Sequence, residues 1–140
     1  MREIKFRMWN GIAKEMIPWH QMIDDNWELR DLNGSPSFIL MQYTGQKDCK
    51  GKEIYEGDIK RETMEYDEGD AIEYFACVWI KEWCRFAWLH LPGEYNEYQD
   101  TGIEHMDEGM QETFGVFENE TDETIVCGNI YEDPQFLDYL

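Results

Sequence analysis

Apolar and polar residues alternate along the first segment of the chain, EIKFRMW. Ile4, Phe6 and Met8 fall on one side, and Lys5 and Arg7 fall on the other. A period of two residues is typical of a β-strand. Because Asn10-Gly11 is a turn signal, we expect a β-hairpin whose second arm is EMI at residues 15–17.

Turn residues precede the next apolar segment. A second Asn-Gly pair lies in LRDLNG at residues 29–34, and SFILMQYTG follows it. Since this run is rich in residues that favour strands, we expect a buried strand that ends at Gly45.

The segment YTGQKDCKGKEIYEGDI, residues 43–59, crowds glycines and charges between two apolar segments. DCKG at 48–51 has the composition of a β-turn in which glycine takes a positive φ, and EGD at 56–58 is a second corner. Ile54 and Tyr55 lie between the corners and should pack inward. Asp58 is placed to accept N–H bonds from its own turn, with a strand beginning at the next residue. Because loops often bind partners, residues 43–45 and 56–58 could form a binding surface, but a structural role is the favoured interpretation.

The middle of the chain predicts two hairpins in succession. Residues 62–70 hold little to bury and should form the exposed end of the first. AIEYFACVWI, residues 71–80, is apolar on almost both faces, as in a central strand that is covered on two sides. A turn at residues 81–83 leads into CRFAWLHL, which Pro92-Gly93 ends. In that strand Phe86 and Trp88 share one face, and Ala87, Leu89 and Leu91 share the other.

The last third of the chain gives a weaker pattern. Apolar residues recur at helical spacing between residues 94 and 112, namely Ile103, Met106 and Met110. Glycines at 102 and 109 disfavour a helix, so a short helix and a loop explain the segment equally well. The end of the chain predicts two strands with residues 118–120 near the turn, and a tail after Pro134.

These elements predict a mainly β fold, with a β-rich α+β fold as the alternative and at most one or two short helices. We expect an N-terminal β unit, residues 1–50, and a second lobe, residues 51–140, that shares one core with it. With 140 residues, of which 15% are aromatic, the chain can bury such a core.

The distribution of charge is uneven. The net charge is -19, and all twelve Lys and Arg lie at or before Arg85. Because binding to nucleic-acid phosphates relies on Lys and Arg, we expect no direct nucleic-acid binding. A basic site built on Arg2, Lys5 and Arg7 is the alternative. The acidic region 86–140 either keeps the protein soluble or imitates phosphates.

The cysteines and the apolar segments bear on the compartment. Cys49, Cys77, Cys84 and Cys127 are scattered, as expected of thiols in a reducing cytosol. No stretch holds the roughly 18 to 20 apolar residues of a membrane helix, and the amino terminus lacks the apolar region of a secretory signal. We therefore expect a cytoplasmic protein that does not engage a membrane.

Catalytic and metal-binding patterns are weak. The cysteine spacing does not fit zinc, so we interpret the cysteines as small hydrophobes in strands. Cys84 and His90 are too far apart along a straight strand to form a nucleophile and base, since six residues span roughly 20 Å. His20 and His105 have no evident acid-base partner. The glycines form no phosphate loop, and DEGD at 67–70 lacks the spacing of a calcium loop. We expect no cofactor and no metal, and favour a protein without enzymatic activity.

Three segments resemble the signatures of the YopX family of bacteriophage and prophage proteins. They are FRMWNGIAKEMI, LMQYTGQKDCKGKEIYEGDI and IVCGNIYEDPQFL, which occur in the order and spacing of the family. The turn at 48–51 reads Asp-Cys-Lys-Gly where the family usually has Asp-Lys-Asn-Gly, so the glycine is kept and the asparagine is lost. The resemblance implies a β-rich fold whose carboxyl-terminal part is a small SH3-like β-barrel, and a tendency to form homo-oligomers. It offers no catalytic residues.

Three functions stay open at this point. The first is a homo-oligomeric interaction or assembly protein, with Trp19 and Trp27 as candidate interface anchors. The second is an acidic nucleic-acid mimic that binds a basic host or phage protein through a surface with Glu118, Glu120, Asp122 and Glu123. The third is a small hydrolase with an unrecognised site.

Overall fold

The computed structural model describes residues 3–25, 37–102, 115–116 and 124–138. Within these ranges the chain forms two antiparallel sheets and two short α-helices, so the prediction of a mainly β fold is confirmed. The predicted turn at 29–34 and the helical spacing at 103–110 lie outside the described residues.

The first sheet has the strand order β2-β1-β3-β4. Its strands are β1 (Phe6–Asn10), β2 (Glu15–Ile17), β3 (Phe38–Lys47) and β4 (Glu53–Tyr55). The predicted β1–β2 hairpin is confirmed, with Met8 opposite Ile17. Helix α1 (Trp19–Asp24) packs Met22 against these two residues. The sheet therefore has a small apolar core of its own.

Gly45, near the end of β3, and Gly51, in the turn that follows it, have different structural roles. Gly45 was expected to end the strand, but β3 continues to Lys47 with an irregular register, and Gly45 takes a φ of 90° within it. Glycine is thus used for a bulge rather than a strand end. The turn at 48–51 is confirmed, since Gly51 has a φ of 83° and donates its N–H to the Asp48 carbonyl at 3.0 Å.

The second sheet curls into a half barrel with the strand order β8-β7-β6-β5-β9. Its strands are β5 (Asp58–Tyr66), β6 (Gly69–Ile80), β7 (Arg85–His90), β8 (Gly115–Val116) and β9 (Ile125–Asn129). The predicted β6–β7 hairpin is confirmed, and Val78 lies opposite Ala87. The corner at Gly57 is confirmed as well, with a φ of 90°.

Both faces of this sheet are apolar, as the sequence of β7 predicted. On one face Val78, Leu89 and Leu91 join a core covered by helix α2 (Gly93–Thr101) and by a 3₁₀ helix (Pro134–Leu137). On the other face Trp88 and Phe86 pack with a group that includes residue 54. Ile54 of β4 thereby contacts this face of the second sheet.

Two predictions about strands need correction. The first four residues of β6 are exposed, so this strand is covered on two sides only in its carboxyl-terminal half. The two strands near the end of the chain do not form a hairpin: β8 pairs with β7 and β9 pairs with β5, at opposite edges of the sheet. Local pattern could not show this, because the partner of each strand is distant in sequence.

The domain boundary at residue 50 and the SH3-like character of the second lobe stay predictions. β4 follows that boundary and pairs with β3 of the first sheet. In the described ranges, no helix is long and apolar enough to cross a membrane.

Candidate functional site

The residues predicted as interface anchors fall in different places. Trp19 begins α1 and is half-buried, with its ring edge-on to Phe6 at 5.9 Å. Trp27 and the acidic residues Glu118, Glu120, Asp122 and Glu123 lie outside the described part of the chain. The described structure thus places one predicted anchor, and it places that anchor at the edge of the core around Met22.

The cysteines do not share one environment. Cys77 is buried in β6 as a small hydrophobe, as predicted, and burial raises its pKa well above the ordinary value. Cys127 is in a strand but exposed, so the prediction holds only in part for it, and Cys49 and Cys84 are exposed in turns, so the prediction was wrong for these two. Among the described residues, no group of three or more His, Cys, Asp or Glu could hold a metal ion.

A buried ion pair joins the first strand to the second corner. Arg7 Nη2 lies 2.7 Å from Asp58 Oδ1, and the guanidinium lies over the ring of Tyr55. Asp58 also accepts the N–H of Tyr55 at 2.8 Å, which confirms the predicted contact within the turn. Burial raises the pKa of Asp58, and Arg7 and this N–H bond oppose that effect.

Glu56 lies beside this pair. Its carbonyl accepts a hydrogen bond from Arg7 at 3.3 Å, whereas its carboxylate forms no hydrogen bond or ion pair with the residues that the structure describes. Burial raises the pKa of Glu56, and the charge of Arg7 only partly offsets the effect. A partly buried carboxylate without a partner is unfavourable, so it marks a site that a cation would stabilise.

The carboxylate of Glu56 lines a cleft of about 310 Å³. The cleft lies between β6, α2 and the chain that follows β9. Its lining consists of Glu56, Gly57, Cys77, Val78, Trp79, Tyr95, Tyr98, Gln99, Ile130 and Tyr131. Burial, Tyr95 and Glu56 raise the pKa of Tyr131 to about 12, so this phenol stays neutral at physiological pH. The site offers aromatic faces and one carboxylate.

A second feature is the outer part of the β5–β6 hairpin, residues 62–73, which we call the acidic arm. In the described structure its two strands pair only with each other, because the pairing of β5 with β9 ends at Arg61 and that of β6 with β7 begins at Phe75. The predicted exposed hairpin end is thus confirmed. Ile72 is 55% exposed and Tyr66 is 50% exposed.

The charges of the acidic arm are arranged unfavourably. It holds six carboxylates and no Lys or Arg. Glu62 lies directly opposite Glu73, and Glu65 lies opposite Asp70. Like charges opposite one another destabilise a strand pair. Glu62 is 3.1 Å from Lys60 and Glu73 is 3.4 Å from His90, whereas the pair at the tip has no cation near it in the described chain.

A third feature is the lysine turn, residues 47–52, which links β3 to β4. Lys47, Lys50 and Lys52 are exposed and form no ion pair with the residues that the structure describes. A shallow groove beside them is lined by residues 43, 45–49 and 51. The turn thus presents positive charge on an otherwise acidic protein.

Comparison with known proteins agrees with the sequence signatures. A family model described as YopX protein matches residues 5–138. The chain belongs to the YopX family. No curated protein matches it significantly. The crystal structure of protein EF1440 from Enterococcus faecalis is similar to this YopX protein with a TM-score of 0.59 and 22% identity, over 99% of this chain and 100% of that one. This likeness concerns the fold.

Sequence reasoning left a binding role open for residues 43–45 and 56–58, which contribute to the groove and to the cleft, but it did not find either surface as a whole. The residues of the cleft come from four separated segments, and nothing local links Glu56 to Tyr95 or Tyr131. The lysine turn carried a signal in three lysines within six residues. That signal was hidden by the strongly negative charge of the whole chain.

Proposed function

We propose that this YopX protein is a non-enzymatic interaction or assembly protein that works as a homo-oligomer. The observation that carries the proposal is the acidic arm, which extends beyond the rest of the second sheet with Tyr66 and Ile72 exposed. A two-stranded ribbon is marginally stable in water unless something packs against it. A second copy of the chain would supply that cover.

Charge complementarity supports a specific contact between copies. The arm brings six carboxylates, and the lysine turn brings three exposed lysines and a groove. We propose that the arm of one copy lies on the lysine turn of the next. Because the two surfaces differ, the contact is heterologous and closes into a ring or continues as a filament.

Light scattering coupled to gel filtration tests self-association. We expect a mass above that of one chain at tens of micromolar protein, decreasing as salt is raised from about 0.05 to 0.5 M because surface charges are screened. A mass of one chain at low salt across that concentration range would reject the proposal.

The acidic arm also favours a second candidate, a nucleic-acid mimic that binds a basic host or phage protein. Its tip presents four exposed carboxylates, those of Glu65, Asp67, Glu68 and Asp70. Under this hypothesis, a pull-down from host lysate yields a basic protein, and added DNA displaces it. The proposed phage or prophage origin and the cytoplasmic location fit either candidate.

A further inference from the structure

Among the described residues, one edge of β6 is unpaired beside the cleft. β5 pairs with β6 as far as Ile59 opposite Ala76, and Gly57 then donates its N–H to the Cys77 carbonyl at 2.8 Å. Because backbone groups alternate in direction along a strand, the N–H and C=O of Trp79 belong to the same edge as those of Cys77. In the described chain, no strand pairs with that edge beyond this point. An extended segment could add there.

The side chains of the cleft select a cation. Tyr95, Tyr98 and Tyr131 present neutral phenol rings, since burial raises the pKa of each. The faces of such rings attract cations, more strongly where water is excluded. Glu56 adds a carboxylate that has no partner among the described residues.

Arg7 does not supply the missing charge. Its guanidinium is paired with the Asp58 carboxylate and lies over the Tyr55 ring. Because the carboxylate of Glu56 is also nearby, one cation serves two carboxylates. No Lys or Arg follows Arg85 in the sequence, so α2 and the segment behind β9 bring no basic group of their own to the cleft.

The size and shape of the site indicate a single side chain. A volume of about 310 Å³ lies at the small end of the range for ligand pockets. Guanidinium is planar, stacks on aromatic rings and binds a carboxylate through two hydrogen bonds, whereas ammonium is compact and more strongly hydrated. An arginine therefore uses both the rings and Glu56.

We infer that the cleft binds an arginine side chain of an extended segment of a partner protein, which adds to the free edge of β6 as a further strand. The inference is independent of self-association through the acidic arm. It assigns a chemical class of partner to a surface whose residues come from four parts of the chain.

The probe is an acetylated, amidated peptide with one central arginine among valine and threonine, titrated into the full-length protein and followed by amide chemical shifts. We expect shifts at Gly57, Trp79 and Tyr131. Replacing arginine by neutral citrulline should weaken binding about ten-fold or more, and lysine should bind more weakly than arginine. Methylating the peptide amide nitrogens that face β6 should weaken binding similarly.

Variants of the protein give the matched test. Glu56→Gln should weaken binding of the arginine peptide about ten-fold and leave that of the citrulline peptide unchanged. Glu97→Gln removes the same charge from an exposed position of α2 and should change neither. If Glu56→Gln does not fold, the affinities of the native protein for the arginine, citrulline, lysine and methylated peptides test the inference instead.

Several results would overturn the inference. Equal affinity for the arginine and citrulline peptides would exclude recognition of the cation. Tighter binding of the lysine peptide would exclude selection for guanidinium. Unchanged affinity of the methylated peptide would exclude strand addition, and shifts confined to residues 62–73 would place binding on the acidic arm.

Discussion

The carboxylate of Asp48 accepts the N–H of Val126 at 3.1 Å, across 78 residues of sequence. Its other oxygen accepts the N–H groups of Lys50 and Lys52, each at 2.9 Å. One buried side chain therefore closes the turn of the first sheet and fixes it to β9 of the second. Asp48 therefore has a structural role, and it fixes the position of the lysine turn relative to the second sheet.

Asp48→Asn should destabilise the protein, because an amide replaces one acceptor oxygen with a donor that faces N–H groups. We expect a loss of about 2 kcal/mol in the free energy of unfolding, measured with urea. Asp100→Asn, at an exposed position, should change it by less than about 0.5 kcal/mol. Equal effects would show that the Asp48 bonds contribute nothing.

The pH dependence of this contribution follows from the pKa of Asp48. Burial alone would raise that pKa, but the N–H bonds from Val126, Lys52 and Lys50 outweigh it and hold the pKa below the ordinary value. The stabilisation is thus present above the unfolded pKa of about 3.9 and is lost as pH falls through the folded pKa. The gap between the native protein and Asp48→Asn should narrow in acid.

Removing Arg7 should be severe at neutral pH. Arg7→Met leaves Asp58 buried without its cation, which costs about 3 to 5 kcal/mol. The double variant Arg7→Met with Asp58→Asn should recover part of this loss, because no buried charge remains. Urea unfolding at pH 7 and at about pH 4 measures both, and the Arg7→Met loss should shrink at the lower pH as Asp58 protonates. A loss that is independent of pH would contradict this account of the pair.

Glu56→Gln should stabilise the protein at pH 7, opposite to Asp48→Asn. The folded pKa of Glu56 is raised by burial, so its ionisation disfavours folding. This penalty is absent below the unfolded pKa of about 4.3 and grows as pH rises towards the folded pKa. Thermal unfolding of native and variant protein should coincide near pH 4 and diverge above it. A variant less stable than native protein at pH 7 would mean that Glu56 is already paired.

Two glycines with similar backbone angles should respond differently to alanine. Gly51 and Gly57 have φ of 83° and 90°, so each substitution costs about 1 kcal/mol or more in backbone strain. A Cβ at Gly51 meets nothing within 4 Å, whereas at Gly57 it meets Met41 Sδ at 3.2 Å and the Tyr131 ring at 3.4 Å. Gly57→Ala should therefore lower the urea midpoint further than Gly51→Ala, and equal midpoints would show that packing adds nothing.

Local pattern predicted those parts of the fold that depend on neighbours in sequence. The hairpin from Met8 to Ile17, the two faces of β7 and the corners at Gly51 and Gly57 follow from period and turn chemistry. The family signatures were likewise local, and the family match confirms them.

Long-range pairing was not predictable in the same way. β9 lies beside β5 because its backbone pairs with β5 and Val126 donates its N–H to Asp48. The sequence around residue 125 contains no sign of either interaction. The cleft is hidden for the same reason, since Glu56 and Tyr131 are brought together only by the fold. The alternation of apolar and polar residues shows which face of a strand is buried, but not which distant segment covers that face.

The most direct test of the proposed assembly mixes two defective variants and measures mass by light scattering at low salt. One carries Ile72→Asp in the acidic arm, and the other carries Glu at positions 47, 50 and 52. Exchanging Lys14 and Lys81 for Glu at exposed positions elsewhere is the charge control and should leave assembly intact. Each defective variant should have the mass of one chain alone, and an equimolar mixture should have the mass of two, because one arm and one lysine turn remain functional. A mixture that stays at one chain while the native protein associates, or a lysine variant that associates as the native protein does, would contradict the arm-to-turn contact.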